Sequence, residues 1–202
     1  GEDQDSKKMN LIWLDKKTKR ISDKDMKSII AFKESEEDRL PFIVQCSKFA
    51  ECKGMCKRCV VKNDGPFKDL SVVMSHKGWG VVAQKDIPSG TYITDYAGEI
   101  MDGNEKANDM KLAYSFEING DLLDNYVDAA RKTNLGRFVN ETHLINDPLF
   151  IQPNVYPIYI MSLNKFIFRI GYFARRKIFA GEELVTSYGS AYNKDGEEEP
   201  CM

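Results

Sequence analysis

The stretch GWGVVAQKDIPSGTYITDYAGEI, residues 78–100, decides how the rest of the chain is read. It contains two runs, WGVVAQ and TYITDY, with the Val-, Ile-, Tyr- and Thr-rich composition of β-strands. Gly78, Gly80, Gly90 and Gly98 stand at or near the ends of these runs. Gly78 and Gly80 also flank Trp79. Glycines on a strand let a ligand approach the backbone closely, and a β-bulge is the commoner reason to find them there.

The same texture extends outward from this stretch. LSVVM precedes it, and AYSFEI, YVDAA, GRFVN, VYPIYIM, FIFRIGYFA and ELVTSY follow, each short and β-like. Gly120, Gly136, Gly171, Gly181 and Gly189 punctuate them. From Leu70 onward no long helical pattern intervenes, which argues against alternating strand–helix units and for several small, curved sheets. Toward the N-terminus the pattern changes. SDKDMKSIIAFKESEED predicts a helix, with Ser22 as N-cap, Asp23 and Asp25 in the first turn, and Met26, Ile29 and Ile30 as one apolar stripe. LIWL at 11–14 offers a short apolar anchor, and Pro41 follows the helix. Packing against a neighbour is the role expected of this whole segment.

The composition suits one well-buried domain with an appendage: 202 residues, 42% hydrophobic and 30% charged, with a formal net charge of −2. No apolar stretch approaches the roughly 20 residues that span a bilayer. The start, GEDQDSKKMN, lacks signal-peptide character, so a soluble intracellular protein is expected, with Gly1 compatible with a piece of a longer one. Residues 1–68 carry 16 Lys/Arg against 12 Asp/Glu, and residues 69–202 carry 13 against 19. An acidic half suits a basic peptide better than a phosphate backbone, although solvated faces alone would produce the same asymmetry. No direct nucleic-acid site and no membrane partner are expected.

Two histidines, His76 and His143, cannot supply a credible Ser-His-Asp arrangement, and neither HExxH nor a phosphate-binding GxxxxGK[ST] occurs. Cys46, Cys52, Cys56 and Cys59 crowd together. In an intracellular chain such crowding points to a shared tetrahedral Zn²⁺ before a disulfide, with free thiols in a turn as the other reading.

Taken together the segments resemble a known family. Residues 78–100 resemble the opening of a SET domain, including YxGE at Tyr96-Ala97-Gly98-Glu99. VDAARKTNLGRFVN (127–140) resembles the segment ending in RF-[IV]-N, Pro153-Asn154 match a following PN pair, and YFARRKIFAGEELVTSYG (172–189) resembles the closing motif. The cysteine-rich QCSKFAECKGMCKRCVVKNDGPF resembles the tail of the pre-SET zinc module of histone H3 methyltransferases that write the heterochromatin mark on the ninth-position lysine. The resemblance implies a mostly β fold with a pseudoknot, in which the segment around Tyr188 passes beside RFVN. It divides the chain into an N-terminal helical segment (1–45), a degenerate pre-SET cluster (46–68), a SET domain (69–190) and a tail without the post-SET zinc motif (191–202). It implies S-adenosylmethionine as methyl donor, held by Lys77, Gly78, Trp79, Gly80, Tyr114, Arg137, Phe138, Asn140 and Glu141. Tyr96 and Tyr188 become the catalytic tyrosines, Tyr96 and Thr186 the lysine-channel wall, and Cys46, Cys52, Cys56 and Cys59 the ligands of one zinc or none. The implied partner is the histone H3 tail, in the nucleus, with chromatin silencing as the outcome.

The chain departs from the family at three places. Asn140-Glu141-Thr142-His143 replaces NHxC, only Cys201 lies beyond Tyr188 where three cysteines are usual, and Thr186 stands where the family carries Phe or Tyr. A smaller residue there leaves room for a di- or trimethylated amine. Two other functions remain open at this point: a catalytically silent SET-like module that binds a peptide or partner, and a methyltransferase of a non-histone lysine.

Overall fold

A computed structural model describes residues 11–12, 14, 18, 20–35, 42–45, 67–102, 114–118, 125–142, 151–162 and 167–188. The four clustered cysteines, His143 and Cys201 lie outside these residues. The described chain is mostly strand, arranged in four small sheets.

The largest sheet runs β1 (Leu11–Ile12), β2 (Phe42–Gln45), β10 (Val155–Ser162), β11 (Ile167–Ala174) and β5 (Tyr92–Tyr96), in that spatial order. At its centre β10 is a near-continuous apolar run, and Val155 through Ile160 are all buried, as befits a strand covered on both faces. Pro157 breaks the run. It lies where β10 has β11 as a partner but precedes the register of β2, which begins at Tyr159↔Phe42, so its missing N–H costs no ladder bond there.

The N-terminal segment is part of this sheet. β1 and β2 pair in parallel, β2 pairs in parallel with β10, and α1 (Asp23–Ser35) connects β1 to β2. The helix starts as its sequence dictates: the Asp25 N–H donates to Ser22 Oγ at 3.1 Å, and Ser22 Oγ donates to the Asp25 carboxylate at 2.6 Å. Its stripe of Met26 and Ile29, with Ile30 partly covered, packs on Ile158, Ile160 and Phe173. Burial of side chains of this size contributes about 1.5–3 kcal/mol each. Gly90 joins the segment to the strands beyond: its φ is +72°, and a Cβ there would collide with the Ile21 carbonyl oxygen. The Ile21 N–H donates to the Gly90 carbonyl at 2.9 Å.

Beyond the largest sheet lie a second core built on Val81, Ile87, Ile93, Val139, Tyr172, Ile178 and Leu184, and a third built on Ile118, Val127, Tyr159 and Ile170. β3 (Leu70–Ser75) and β4 (Gly78–Ala83) form a hairpin, and β6 (Glu99–Asp102), β8 (Asn125–Asp128) and β7 (Ser115–Ile118) form a three-stranded sheet. β9 (Asn140–Glu141) and β12 (Val185–Thr186) pair in parallel. This last pair brings the closing motif beside RFVN. One expectation is corrected: GRFVN is not a strand throughout. Leu135–Phe138 form a 3-10 helix, capped by Asn134 Oδ1 accepting from the Gly136 N–H at 3.0 Å, and only Asn140 enters a strand. The cap and the glycine favour a turn over extension.

Candidate active site

Three chain segments far apart in sequence meet where β9 and β12 pair. Asn154 fastens them: its Nδ2 donates to the Glu183 carbonyl at 2.7 Å, and its Oδ1 accepts from the Val185 N–H at 2.9 Å. Asn154 is fully buried, so satisfied hydrogen bonds are what allow it to stay there. Immediately beyond β12, Tyr188 donates its hydroxyl to the Val139 carbonyl at 2.9 Å.

Tyr96 closes the other side. Its hydroxyl donates to the Tyr114 carbonyl at 2.6 Å, which also accepts from the Ala129 N–H at 3.0 Å. Its ring lies 5.4 Å from that of Phe116 and edge-on to that of Tyr172 at 6.4 Å. Tyr172, absent from the residues singled out in sequence, is buried in the same cluster. Burial pushes its phenol well above the ordinary range, and the neighbouring Tyr188 and Tyr96 push it further in the same direction. It is therefore a neutral hydroxyl at physiological pH.

Arg137 stacks 4.0 Å from the centre of the Tyr114 ring and 5.7 Å from that of Phe138. Its Nη1 donates to the Ala129 and Ala130 carbonyls at 3.3 and 3.1 Å. The guanidinium thus props Tyr114, whose carbonyl in turn holds Tyr96.

The hairpin end carries the remaining expected residues. Trp79 is 55% exposed, and Lys77 lies exposed in the turn between β3 and β4. Asn140 Nδ2 donates to the Trp79 carbonyl at 3.3 Å and to Glu183 Oε1 at 2.9 Å. Ser75 donates to the other Glu183 oxygen at 2.6 Å. Gly80 makes this clamp possible, because a Cβ there would collide with Glu183 Oε1. Ser75 and Glu183 escaped the reading of the sequence. Glu141 faces Thr186 across the β9–β12 pair, and Thr186 is 1% exposed. Among the described residues, no group of His, Cys, Asp or Glu suits a metal ion.

A Cβ placed on Gly78 would meet nothing within 4 Å, and the Trp79 indole beside it is open to solvent.

Comparison with known proteins agrees with this geometry. Residues 78–189 match the SET domain family, and the chain belongs to it. The mouse histone-lysine N-methyltransferase EHMT1 is 30% identical over 173 residues, covering 84% of this chain and 12% of that protein. SUV39H2 of Xenopus tropicalis, also a histone-lysine N-methyltransferase, is 27% identical over 79% of this chain and 40% of its own length. The chain thus spans a minor part of these relatives. The crystal structure of Arabidopsis thaliana SUVH6 in complex with SAM superposes with a TM-score of 0.64 at 26% identity, covering 78% of this chain and 35% of that one. KRYPTONITE, crystallised with mCHH DNA, an H3(1–15) peptide and SAH, superposes with a TM-score of 0.60 at 26% identity, covering 80% and 32%.

Proposed function

We propose that the chain is an S-adenosylmethionine-dependent protein-lysine methyltransferase acting on the tail of histone H3, in the nucleus. The observation that carries this reading is the parallel pairing of β9 with β12, beside which the Tyr188 hydroxyl donates to the Val139 carbonyl, next to Asn140 and close to Thr186 in sequence. It is supported by the relatives, which are histone-lysine methyltransferases, and by neighbours solved with SAM or with SAH and an H3 peptide.

S-adenosylmethionine, when bound, supplies a methyl group on a positively charged sulfur. Gly78, Trp79 and Asn140 would hold it at the hairpin end, with Tyr114 and Arg137 behind. The chain's own task is to present a neutral amine in line with that methyl. Free lysine has a pKa near ~10.4, and a dry channel beside a cation lowers it. The bound donor would supply the methyl to the lysine nitrogen, its sulfur keeping the electron pair of the bond it loses. The resulting ammonium releases its proton to water. Tyr96 and Tyr188, fixed on backbone carbonyls, hold the amine's direction without acting as strong bases.

Thr186 leaves room that an aromatic would fill, so the channel accepts an amine that already carries a methyl group. Four of the five cysteines belong to the stretch proposed as a degenerate pre-SET cluster, which would hold at most one zinc. Glu141 favours a second reading, a silent SET-like module that binds a peptide without transferring methyl. Calorimetry with S-adenosylmethionine, paired with labelled-methyl transfer to histone H3, separates the two. Binding with transfer supports the enzyme, and binding with none supports the silent module.

A further inference from the structure

The β3–β4 hairpin carries a side-chain clamp that its attachment to the closing motif does not require. Backbone bonds already make that attachment. The Leu184 N–H donates to the Val81 carbonyl at 2.7 Å, the Ala83 N–H to the Glu182 carbonyl at 3.0 Å, and the Gly181 N–H to the Ala83 carbonyl at 2.7 Å. The clamp lies at the other end of the hairpin, where Ser75 is the register partner of Gly78. Ser75 Oγ donates to one oxygen of Glu183 at 2.6 Å, and the other oxygen accepts from Asn140 Nδ2 at 2.9 Å. The same Nδ2 donates to the Trp79 carbonyl at 3.3 Å. A carboxylate and a carbonyl accept but do not donate, so only one orientation of the Asn140 amide satisfies both. That orientation commits the nitrogen to the protein and leaves Oδ1 as the polar atom the carboxamide can offer to a ligand. Glu183 and Asn140 both close over the bare Gly80 backbone, where a Cβ would collide with the carboxylate and lie 3.1 Å from Asn140 Nδ2.

We propose that Ser75 is a positioning residue for the methyl donor: through Glu183 it locks the carboxamide of Asn140 in the orientation that receives the donor beside Gly78 and Trp79. The inference rests on the donor-binding part of the reading above. Ser75 lies outside residues 78–189, which match the SET family, so the clamp reaches the motif residues from the preceding strand. The need for a hydroxyl there follows from the freedom of the Glu183 side chain. The terminal torsion of a glutamate is broad and roughly two-fold, so a carboxylate held at one oxygen can still swing, and Asn140 would follow it. A second donor on the far oxygen pins that torsion. Hydrogen bonds to a carboxylate are also stronger than those between neutral groups, which suits a contact that must hold another residue in place. Asn140 then meets the donor already oriented, and less freedom is lost on binding.

The test is calorimetric titration of the full chain with S-adenosylmethionine, comparing wild type with Ser75→Ala, Ser75→Thr and Ser71→Ala. Ser75→Ala is expected to raise Kd about fivefold, the effect of one lost hydrogen bond. Ser75→Thr keeps the hydroxyl on a residue that strands accept readily, and should restore wild-type affinity. Ser71→Ala makes the same truncation on the same face of β3, away from the clamp, and should leave Kd unchanged. Because Ser75 acts through Asn140, Ser75→Ala should add nothing to the loss caused by Asn140→Ala. An unchanged Kd in Ser75→Ala would overturn the inference and leave the donor site standing. Equal weakening in Ser75→Thr or in Ser71→Ala would also overturn it, by tracing the effect to the strand rather than the hydroxyl. So would a further loss when Ser75→Ala is added to Asn140→Ala. No binding by wild type would overturn the donor-binding reading and this inference with it.

Discussion

At the scale of single residues, the proposed site commits its polar groups to backbone partners. Tyr188 is held by the Val139 carbonyl and Tyr96 by that of Tyr114, so each hydroxyl is fixed in position before a substrate arrives. Tyr188→Phe is expected to lower kcat roughly 100-fold through loss of that orientation. The affinity for S-adenosylmethionine should stay near that of wild type, as read by calorimetry. Gly80→Ala tests a different contact. Its Cβ would displace the Glu183 carboxylate that Ser75 and Asn140 share, so Kd for S-adenosylmethionine should rise and the melting temperature should fall by several degrees. Tyr96, Tyr188 and Asn140 were singled out in the sequence because the motifs that hold them resemble those of the SET family. Ser75 and Glu183 were not, because they meet across a separation of 108 residues and neither stands out until the hairpin docks. Tyr172 was illegible for another reason. Within FIFRIGYFA it has the same appearance as any aromatic of a core strand.

At the scale of elements, local chemistry decides where the sequence speaks clearly. Ser22 and the Met26–Ile29 stripe define α1, and the structure bears them out. Ser22→Ala should destabilise the protein by about 1 kcal/mol in chemical denaturation, the cost of a lost cap. GRFVN misled because Phe and Val carry β-propensity, whereas the Asn134 cap and Gly136 turn the backbone. β6, with the sequence EIMD, has too little apolar alternation to announce a strand and is defined by its pairing with β8. β1 and β2 were equally hard to read, since pairing in parallel with β10 is a tertiary event. Their attachment makes Gly90 critical. Gly90→Ala imposes a left-handed backbone on a residue with a Cβ and drives that Cβ into the Ile21 carbonyl. A loss of about 2–4 kcal/mol is expected, with the m-value showing whether residues 11–45 separate from the rest.

At the scale of the whole molecule, the described residues form four small sheets around distinct apolar clusters, and the proposed site occupies the seam where the hairpin, the β9–β12 pair and β11 meet. Surface ion pairs tune the edges of this arrangement. The Lys177 ammonium, 2.7 Å from Asp86 Oδ2, and the Ala180 N–H hold the Asp86 carboxyl below its usual pKa, and Lys132 does the same for Glu99. For a carboxylate whose folded pKa is depressed, the stabilisation is present above the unfolded value of ~3.9–4.3 and is lost as pH falls through the folded value. The melting temperature should therefore be insensitive to these groups between about pH 6 and 8. Below about pH 4 it should fall, and Asp86→Asn should flatten that acid limb slightly. The mostly β class and the meeting of the closing motif with RFVN were legible from ordered motifs, while the layout of the sheets depends on contacts too distant in sequence to be read. The claim on which everything else depends is that this seam transfers methyl groups to the H3 tail. Its most direct measurement is the incorporation of labelled methyl from S-adenosylmethionine into intact histone H3 and into H3 lacking its tail, with wild type and Tyr188→Phe side by side. Label in intact H3 alone, and from wild type alone, is the predicted result. No label in intact H3, or equal label in the tail-less protein, would contradict it.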